Sequence, residues 1–382
     1  MAERLTGPEL VALVQRVFQP RPGEAALAIL VDLPDAQVPD DAAWAERRAL
    51  AQAWVAELRA CRGDLGLDAH LAVYPNVHTN NGDLPDRVWL HAGGPLPASQ
   101  DLDPATALPF PDFYREHPIL IALTRFSATA PLKLAAKVYP IRAATMPGFR
   151  PDMIPALRLD YAEVNRRVNL LKDLLDRAEG ADFRFRTPEG PCALHLDLRH
   201  RTGHASGGLV TQPGTAGNLP SGEAYIVPYE GERPGDPSRT EGVMPVQFGD
   251  EVVRYRITGN RAVEVLSAGP ASAAEAALLA REPAYGNLAE LGLGVLAAFG
   301  VKPVGEVLLD EKLGLHLAFG RSDHFGGQVG PRDFSGPAAV VHIDRVYVPE
   351  TQPRVEVEAV DLHLPDGASV ALMREGAYTV GF

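Results

Sequence analysis

The sequence predicts an α/β plus α+β protein: an N-terminal open, parallel α/β sheet domain followed by a strand-rich domain. Strand-like apolar runs alternate with helical stripes up to residue 180. Beyond it the texture changes to short alternating stretches separated by Gly, Pro and Asn-Gly-like turns. A chain of 382 residues also exceeds the size at which one hydrophobic core usually stops growing. Two domains are therefore expected, 1–180 and 181–382.

In GPELVALVQRVF (7–18), Leu10, Leu13, Val14, Val17 and Phe18 share one helical stripe, and ALAILVDLP (26–34) follows as a buried strand. DDAAWAERRALAQAWVAELRACRG is a long helix with an acidic start and a glycine after its end. HLAVYP (70–75), ILIALTRF (119–126) and the weaker IRAATMP (141–147) are further strands, and none is followed by G-x-G-x-x-G, so the fold class gives no dinucleotide site. IPALRLDYAEVNRRVNLLKDLLDRAEG (154–180) reads as a helix ending at Gly180. After it, DFRFRTP, CALHLDLRH, EVVRYRITGNRAVEVL and RVEVEAVDLHLPDGASVALM alternate as half-buried strands, with hairpin tips at TGNRAV and LPDGASV. A helical segment at 272–299 interrupts them and carries Glu290.

Composition narrows the function classes. A net charge of -13 disfavours a nucleic-acid surface, which needs clustered Lys and Arg. The longest apolar runs are far too short to cross a bilayer, and no signal-peptide pattern opens the chain, so a cytoplasmic protein without a membrane partner is expected. Cys61 and Cys192 give neither a disulfide framework nor a cysteine-based zinc spacing.

Candidate ligands cluster in the second half: Glu223 in NLPSGEAYIVP, Glu290 in LAELGLG, Glu311 and His316 in DEKLGLHLAFG, and His342 and Asp344 in VHIDRV. His342 and Asp344 are two apart in an apolar strand and emerge on one face. A Lys-Leu-Gly turn between Glu311 and His316 lets both point into one cavity. Four carboxylates and two imidazoles exceed what one tetrahedral zinc requires, and two divalent ions of zinc, cobalt or manganese match the donor set. Such a pair suits hydrolysis of a peptide or a small amide, with Glu290 or Glu311 taking the proton. An alternative is a non-enzymatic protein whose metal is purely structural. Lys312 reads more readily as a surface lysine than as an electrophile beside the metals, and it is assigned no role. In HLDLRHRTGH, Leu194, Leu196 and Leu198 alternate with His195, Asp197 and Arg199 as the inner and outer faces of a strand. Arg201 and His204 in the following loop are candidates to line a substrate cleft, and Asp323 and His324 in RSDHFGG belong to the candidate-site stretch.

The order NLPSGEAYIVP, E-L-G-L-G, DEK-L-G-L-H-L-A-F-G, GG and H-I-D-R-V resembles the thermophilic metalloaminopeptidases, the aminopeptidase T type of leucyl aminopeptidases. The resemblance covers the second half and places the two-metal ligands on Glu223, Glu290, Glu311, His316, His342 and Asp344. It implies removal of N-terminal residues from peptides, two zinc or cobalt ions and a homodimer. PSGEAYI stands where the peptidases carry a Thr-Glu-Glu-Val-Phe-Thr-like motif, and RSDHFGG where they keep a tyrosine. NLPSGE is typical of a divergent branch that includes an iron-dependent dihydroxypyridine ring-opening dioxygenase. That resemblance implies the alternative of a single iron(II) held by His316, His342 and Asp344 that opens a small hydroxylated aromatic or pyridine ring, although Glu290 favours the two-metal hydrolase.

Overall fold

The computed structural model describes residues 3–336 and 339–382, and the chain forms two compact units. The first comprises 1–165 and 208–221, the second 166–207 and 222–382. A single cut at 180/181 thus does not separate them: the chain leaves the first unit fifteen residues earlier and returns to it once.

The first unit is built on β1 (Ala26–Leu33), β2 (Asp68–Pro75), β3 (Arg87–His91), β4 (Leu108–Pro109), β5 (Ile119–Ala122) and β6 (Arg142–Thr145). β1 pairs in parallel with β2 and β5, and β5 with β6, whereas β3 and β4 add an antiparallel edge. The opposite edge is Thr215–Asn218, which pairs in parallel with β6 after a long excursion of the chain. Every residue of β1 is buried, as expected of a central strand covered on both faces. The helix Gly7–Phe18 starts at a Thr6 and Glu9 capping box and buries the predicted stripe.

The predicted helix over 154–180 is broken. A short turn at Ile154–Leu157 precedes the main helix Tyr161–Arg177, and Gly180 opens a strand instead of capping a helix.

The second unit contains β7 (Gly180–Thr187), β8 (Gly190–Asp197), β9 (His204–Ser206), β11 (Glu223–Ile226), β12 (Glu241–Phe248), β13 (Glu251–Thr258) and β14 (Arg261–Val265), β10 being the Thr215–Asn218 strand above. It continues with β15 (Leu288–Gly294), β16 (Leu315–Gly320), β17 (His342–Val346), β18 (Glu356–His363), β19 (Ser369–Arg374) and β20 (Ala377–Tyr378). Eight strands form one sheet in the order β14-β13-β12-β8-β7-β18-β19-β20, and five form another in the order β17-β16-β15-β11-β9. Both expected hairpins are present, β13–β14 and β18–β19. Aromatic contacts join the two sheets: Phe319 of β16 packs edge-on against Tyr255 of β13 with centroids 5.1 Å apart, and Tyr347 packs against Phe185 at 5.0 Å.

Only Pro270–Arg281 of the predicted 272–299 helix is α-helical. Pro283 cannot continue it, a 3-10 turn follows at Pro283–Gly286, and Leu288–Gly294 becomes a fully buried strand. Glu290 therefore stands on a strand. Among the described residues, no helix is long and apolar enough to cross a membrane.

Candidate metal centre

One face of the five-stranded sheet carries almost all of the expected ligands. Glu290, Gly292 and Gly294 alternate on β15; Gly292 lies opposite Tyr225 on one side and His316 on the other, and Gly294 lies opposite Glu223. On β17, Asp344 faces Ala318 and His342 faces Gly320, so small residues on β16 leave room for both side chains. A register shift between Leu288 and Glu290 turns Glu290 toward this cluster, a common use of bulges beside functional sites. The intervening leucines, Leu291, Leu293, Leu315 and Leu317, are buried.

Two three-residue groups result, Glu223 with Glu290 and His316, and Glu290 with His342 and Asp344. Glu290 belongs to both. Its Oε1 is 3.4 Å from His316 Nε2 and its Oε2 is 3.2 Å from His342 Nε2. Glu223 Oε2 lies 3.5 Å from His316 Nε2, and Asp344 Oδ1 lies 3.5 Å from His342 Nε2. Most of these separations are long for hydrogen bonds. They match the roughly 3.3 Å between two ligands bound tetrahedrally to one ion at about 2.0–2.1 Å. Glu223 Oε2 and Asp344 Oδ1 are also buried without a hydrogen-bond partner, a costly arrangement that a cation in contact with them relieves. The residues present therefore fit a metal.

Both imidazoles are oriented for ligation. His342 Nδ1 is 2.8 Å from the Arg321 carbonyl and His316 Nδ1 is 3.3 Å from that of Gly314, which leaves each Nε2 aimed into the cluster. Burial pushes Glu290 up, but His316 and His342 outweigh it and hold its carboxyl at about 2. Burial works against charge on His316 as well, yet Glu290, Glu223 and Asp344 raise it to about 9, and Asp344 and Glu290 raise His342 well above its usual value.

Glu311 does not join either group. It follows the short helix Val307–Asp310, and its carboxylate contacts the ammonium of Lys312, which also bonds Glu223 Oε1 at 2.5 Å. Lys312 is thus a buried cation, only 1% exposed, and not the surface lysine expected from its sequence context. Sequence patterning misses it because the Glu311–Lys312 step lies in a turn with no periodicity to assign a face. Burial drives Glu311 well above the carboxylate range against the pull of Lys312.

Gly292 is a second residue that sequence reasoning did not single out. A Cβ there would lie 1.9 Å from His316 Nε2, so the imidazole occupies the space a side chain would fill. The G-L-G spacing after Glu290 was its only sequence signal. At Gly294 a Cβ would come within 2.3 Å of the Lys312 carbonyl carbon, so this glycine admits the turn that carries Lys312.

An aromatic wall borders the cluster. Phe325 and His324 lie 5.5 and 5.4 Å from His342, Tyr225 packs 4.9 Å from Phe325, and His204 stacks on Tyr225 at 5.0 Å. Burial lowers His324 to about 4, which leaves this ring neutral near pH 7. The loop is pinned from below by Glu230, which accepts from Ser322 Oγ at 2.5 Å and Asn287 Nδ2 at 2.8 Å, and pairs with Arg201 at 3.4 Å. Arg201 therefore supports the loop, while His204 stands in the wall. Asp323 pairs with Arg321 at its edge.

The fold is shared with known enzymes. A 2,5-dihydroxypyridine dioxygenase from Pseudomonas putida KT2440 superposes with a TM-score of 0.62 at 13% identity, covering 99% of this chain and 99% of that one. AmpT from Thermus thermophilus superposes with a TM-score of 0.55 at 16% identity, covering 98% and 99%. No family model and no curated protein sequence matches the chain. At these identities the similarity is one of fold.

Proposed function

We propose that the chain is a two-metal hydrolase that removes N-terminal residues from peptides. The observation that carries this reading is Glu290: its two oxygens face two different imidazoles, and each imidazole has its own second carboxylate, Glu223 or Asp344. That arrangement suits a carboxylate shared between two divalent ions of zinc, cobalt or manganese, with His316 and Glu223 on one and His342 and Asp344 on the other. Ions held there would supply Lewis acidity and lower the pKa of bound water.

The protein groups divide the remaining work. Glu290, held at about 2, stays ionised and is a poor proton acceptor. Glu311, driven up by burial, is the better proton carrier, and the Lys312 ammonium beside it fixes its orientation. Tyr225, His324 and Phe325 offer aromatic surface for an apolar residue and exclude water.

A second reading, a mononuclear iron(II) ring-opening dioxygenase, is favoured by Lys312. Its ammonium already pairs with Glu223, the second carboxylate that an ion at His316 would draw on. In that reading His316, His342 and Asp344 would supply two imidazoles and one carboxylate to a single ion, with His316 moving toward the other two, since it groups with Glu223 and Glu290 and not with them.

Elemental analysis of His316→Ala and His342→Ala proteins, purified anaerobically without chelator, tests both. In the two-metal reading each variant loses one ion and keeps the other. If either substitution removes the same single iron, the hydrolase reading is wrong and the oxygenase reading stands. Unchanged metal content in both variants removes the cluster from consideration.

A further inference from the structure

On the opposite sheet of the second unit lies another set of donors that the proposed chemistry does not use. Asp182 of β7 stands directly across from His195 of β8, and His363 of β18 faces Gly180, two residues along β7 on the same side of the pleat. Asp182 Oδ1 is 2.7 Å from His195 Nδ1, and Oδ2 is 2.7 Å from His363 Nε2. One ligand atom from each of the three residues lies within 4.8 Å of the other two. The neighbouring residues Phe183, Leu194 and Leu362 are buried on the other face, so the trio belongs to the outer surface of the eight-stranded sheet.

Gly180 supplies an independent feature. A Cβ at this position would lie 2.8 Å from His195 Cε1, so the missing side chain is what lets the imidazole lie over β7 and turn its Nδ1 to Asp182. The other carboxylate on this stretch, Asp361, is already engaged by Arg374 and Arg184. That leaves Asp182 as the acid shared by the two rings.

We propose that Asp182, His195 and His363 form a second, surface metal site that takes a zinc ion. Two imidazoles and a carboxylate suit zinc, with bonds of about 2.0–2.2 Å, and the outward position is open to water because the three side chains are 34–48% exposed. The ion takes the place of the hydrogen bonds between the rings and Asp182, with each neutral imidazole carrying its proton on the nitrogen that does not ligate, His195 Nε2 and His363 Nδ1, and draws the three donors together by small rotations about their side-chain torsions. All three donors stand on neighbouring strands of one sheet, so little backbone has to move. Bound there, zinc links β8, β7 and β18 and ties strands from opposite ends of the unit's sequence.

The site is independent of the Glu290 cluster and so is its test. Wild type, His363→Ala and His342→Ala are titrated with zinc in solution, and crystals of each are measured at the zinc absorption edge. The expected result is an anomalous peak between His195, His363 and Asp182 in wild type and His342→Ala, with one equivalent lost from the solution titration in His363→Ala. Metal at the Glu290 cluster and the circular dichroism spectrum of His363→Ala should be unchanged, which separates loss of the site from loss of the fold. Absence of the peak in wild type, or a peak in the crystal with no equivalent lost from solution in His363→Ala, overturns the proposal.

Discussion

The His316 imidazole occupies the space above Gly292 that any other residue's side chain would need, with Nε2 only 1.9 Å from where a Cβ would sit. Because β15 and β16 are both buried strands of one sheet, neither can withdraw. Gly292→Ala should therefore expel His316 from the cluster and strain the sheet, at a cost on the order of 1–3 kcal/mol for overpacking. Thermal denaturation and metal content measured together check this. A variant with full metal and an unchanged melting point would show that the ring has another resting place.

Lys312 is enclosed by carboxylates, so removing its charge exposes their repulsion. Lys312→Met should destabilise the ion-free protein by roughly 3–5 kcal/mol, the usual cost of leaving a buried charge unpartnered. Added zinc should recover much of the loss, because a second cation can replace the ammonium between Glu223 and Glu311. Melting curves with and without zinc read both effects, and a variant that zinc does not rescue argues against metal at Glu223.

The pH dependence follows from the imidazoles. In the ion-free protein His316 is raised from 6.5 to about 9, so it contributes stability that is complete below pH 6.5 and is lost as the pH rises through 9. The melting point of chelated protein should fall across that interval. Metal affinity should rise over the same range, since each ion must displace protons from the rings it binds. Calorimetric titrations in buffers of different ionisation enthalpy would reveal the released protons, and flat profiles for both quantities would contradict the assignment of His316.

Glu290→Gln keeps the shape of the side chain while removing its charge. In the two-metal reading the amide can no longer be shared between two ions, so metal content and peptide hydrolysis should fall together. His324→Ala, by contrast, should raise KM with little effect on metal content, because this ring is neutral and stands in the wall beside His342. Steady-state kinetics on aminoacyl substrates distinguishes the two effects, and equal losses of kcat in both variants would place His324 in the chemistry itself.

The fold was legible where local pattern and burial agree. Leu194, Leu196 and Leu198 alternate with polar neighbours because one face of an antiparallel sheet meets water, and the strand was recognisable from that alone. LAELGLG gave no such alternation. A short apolar run suits a buried strand or a buried helix segment equally, and LAELGLG follows an Ala-rich helix with only the short Pro283–Gly286 stretch between them to mark a break. His342 and Asp344 could be paired from their spacing on one strand, whereas the meeting of Glu290 with both imidazoles depends on strand register, a long-range property. The edge strand Thr215–Asn218 was invisible for the same reason: TAGN has no hydrophobic signature, and only its pairing with β6 makes it a strand.

That edge strand also constrains how the chain can be made. The first unit's sheet is completed only once Asn218 is free to pair, and β7, β8 and β9 of the second unit precede it along the chain. The first unit therefore waits for part of the second during translation, and the unpaired edge of β6 must be protected meanwhile. No single cut in the gene separates two complete folding modules, so the pair is inherited, and lost, together.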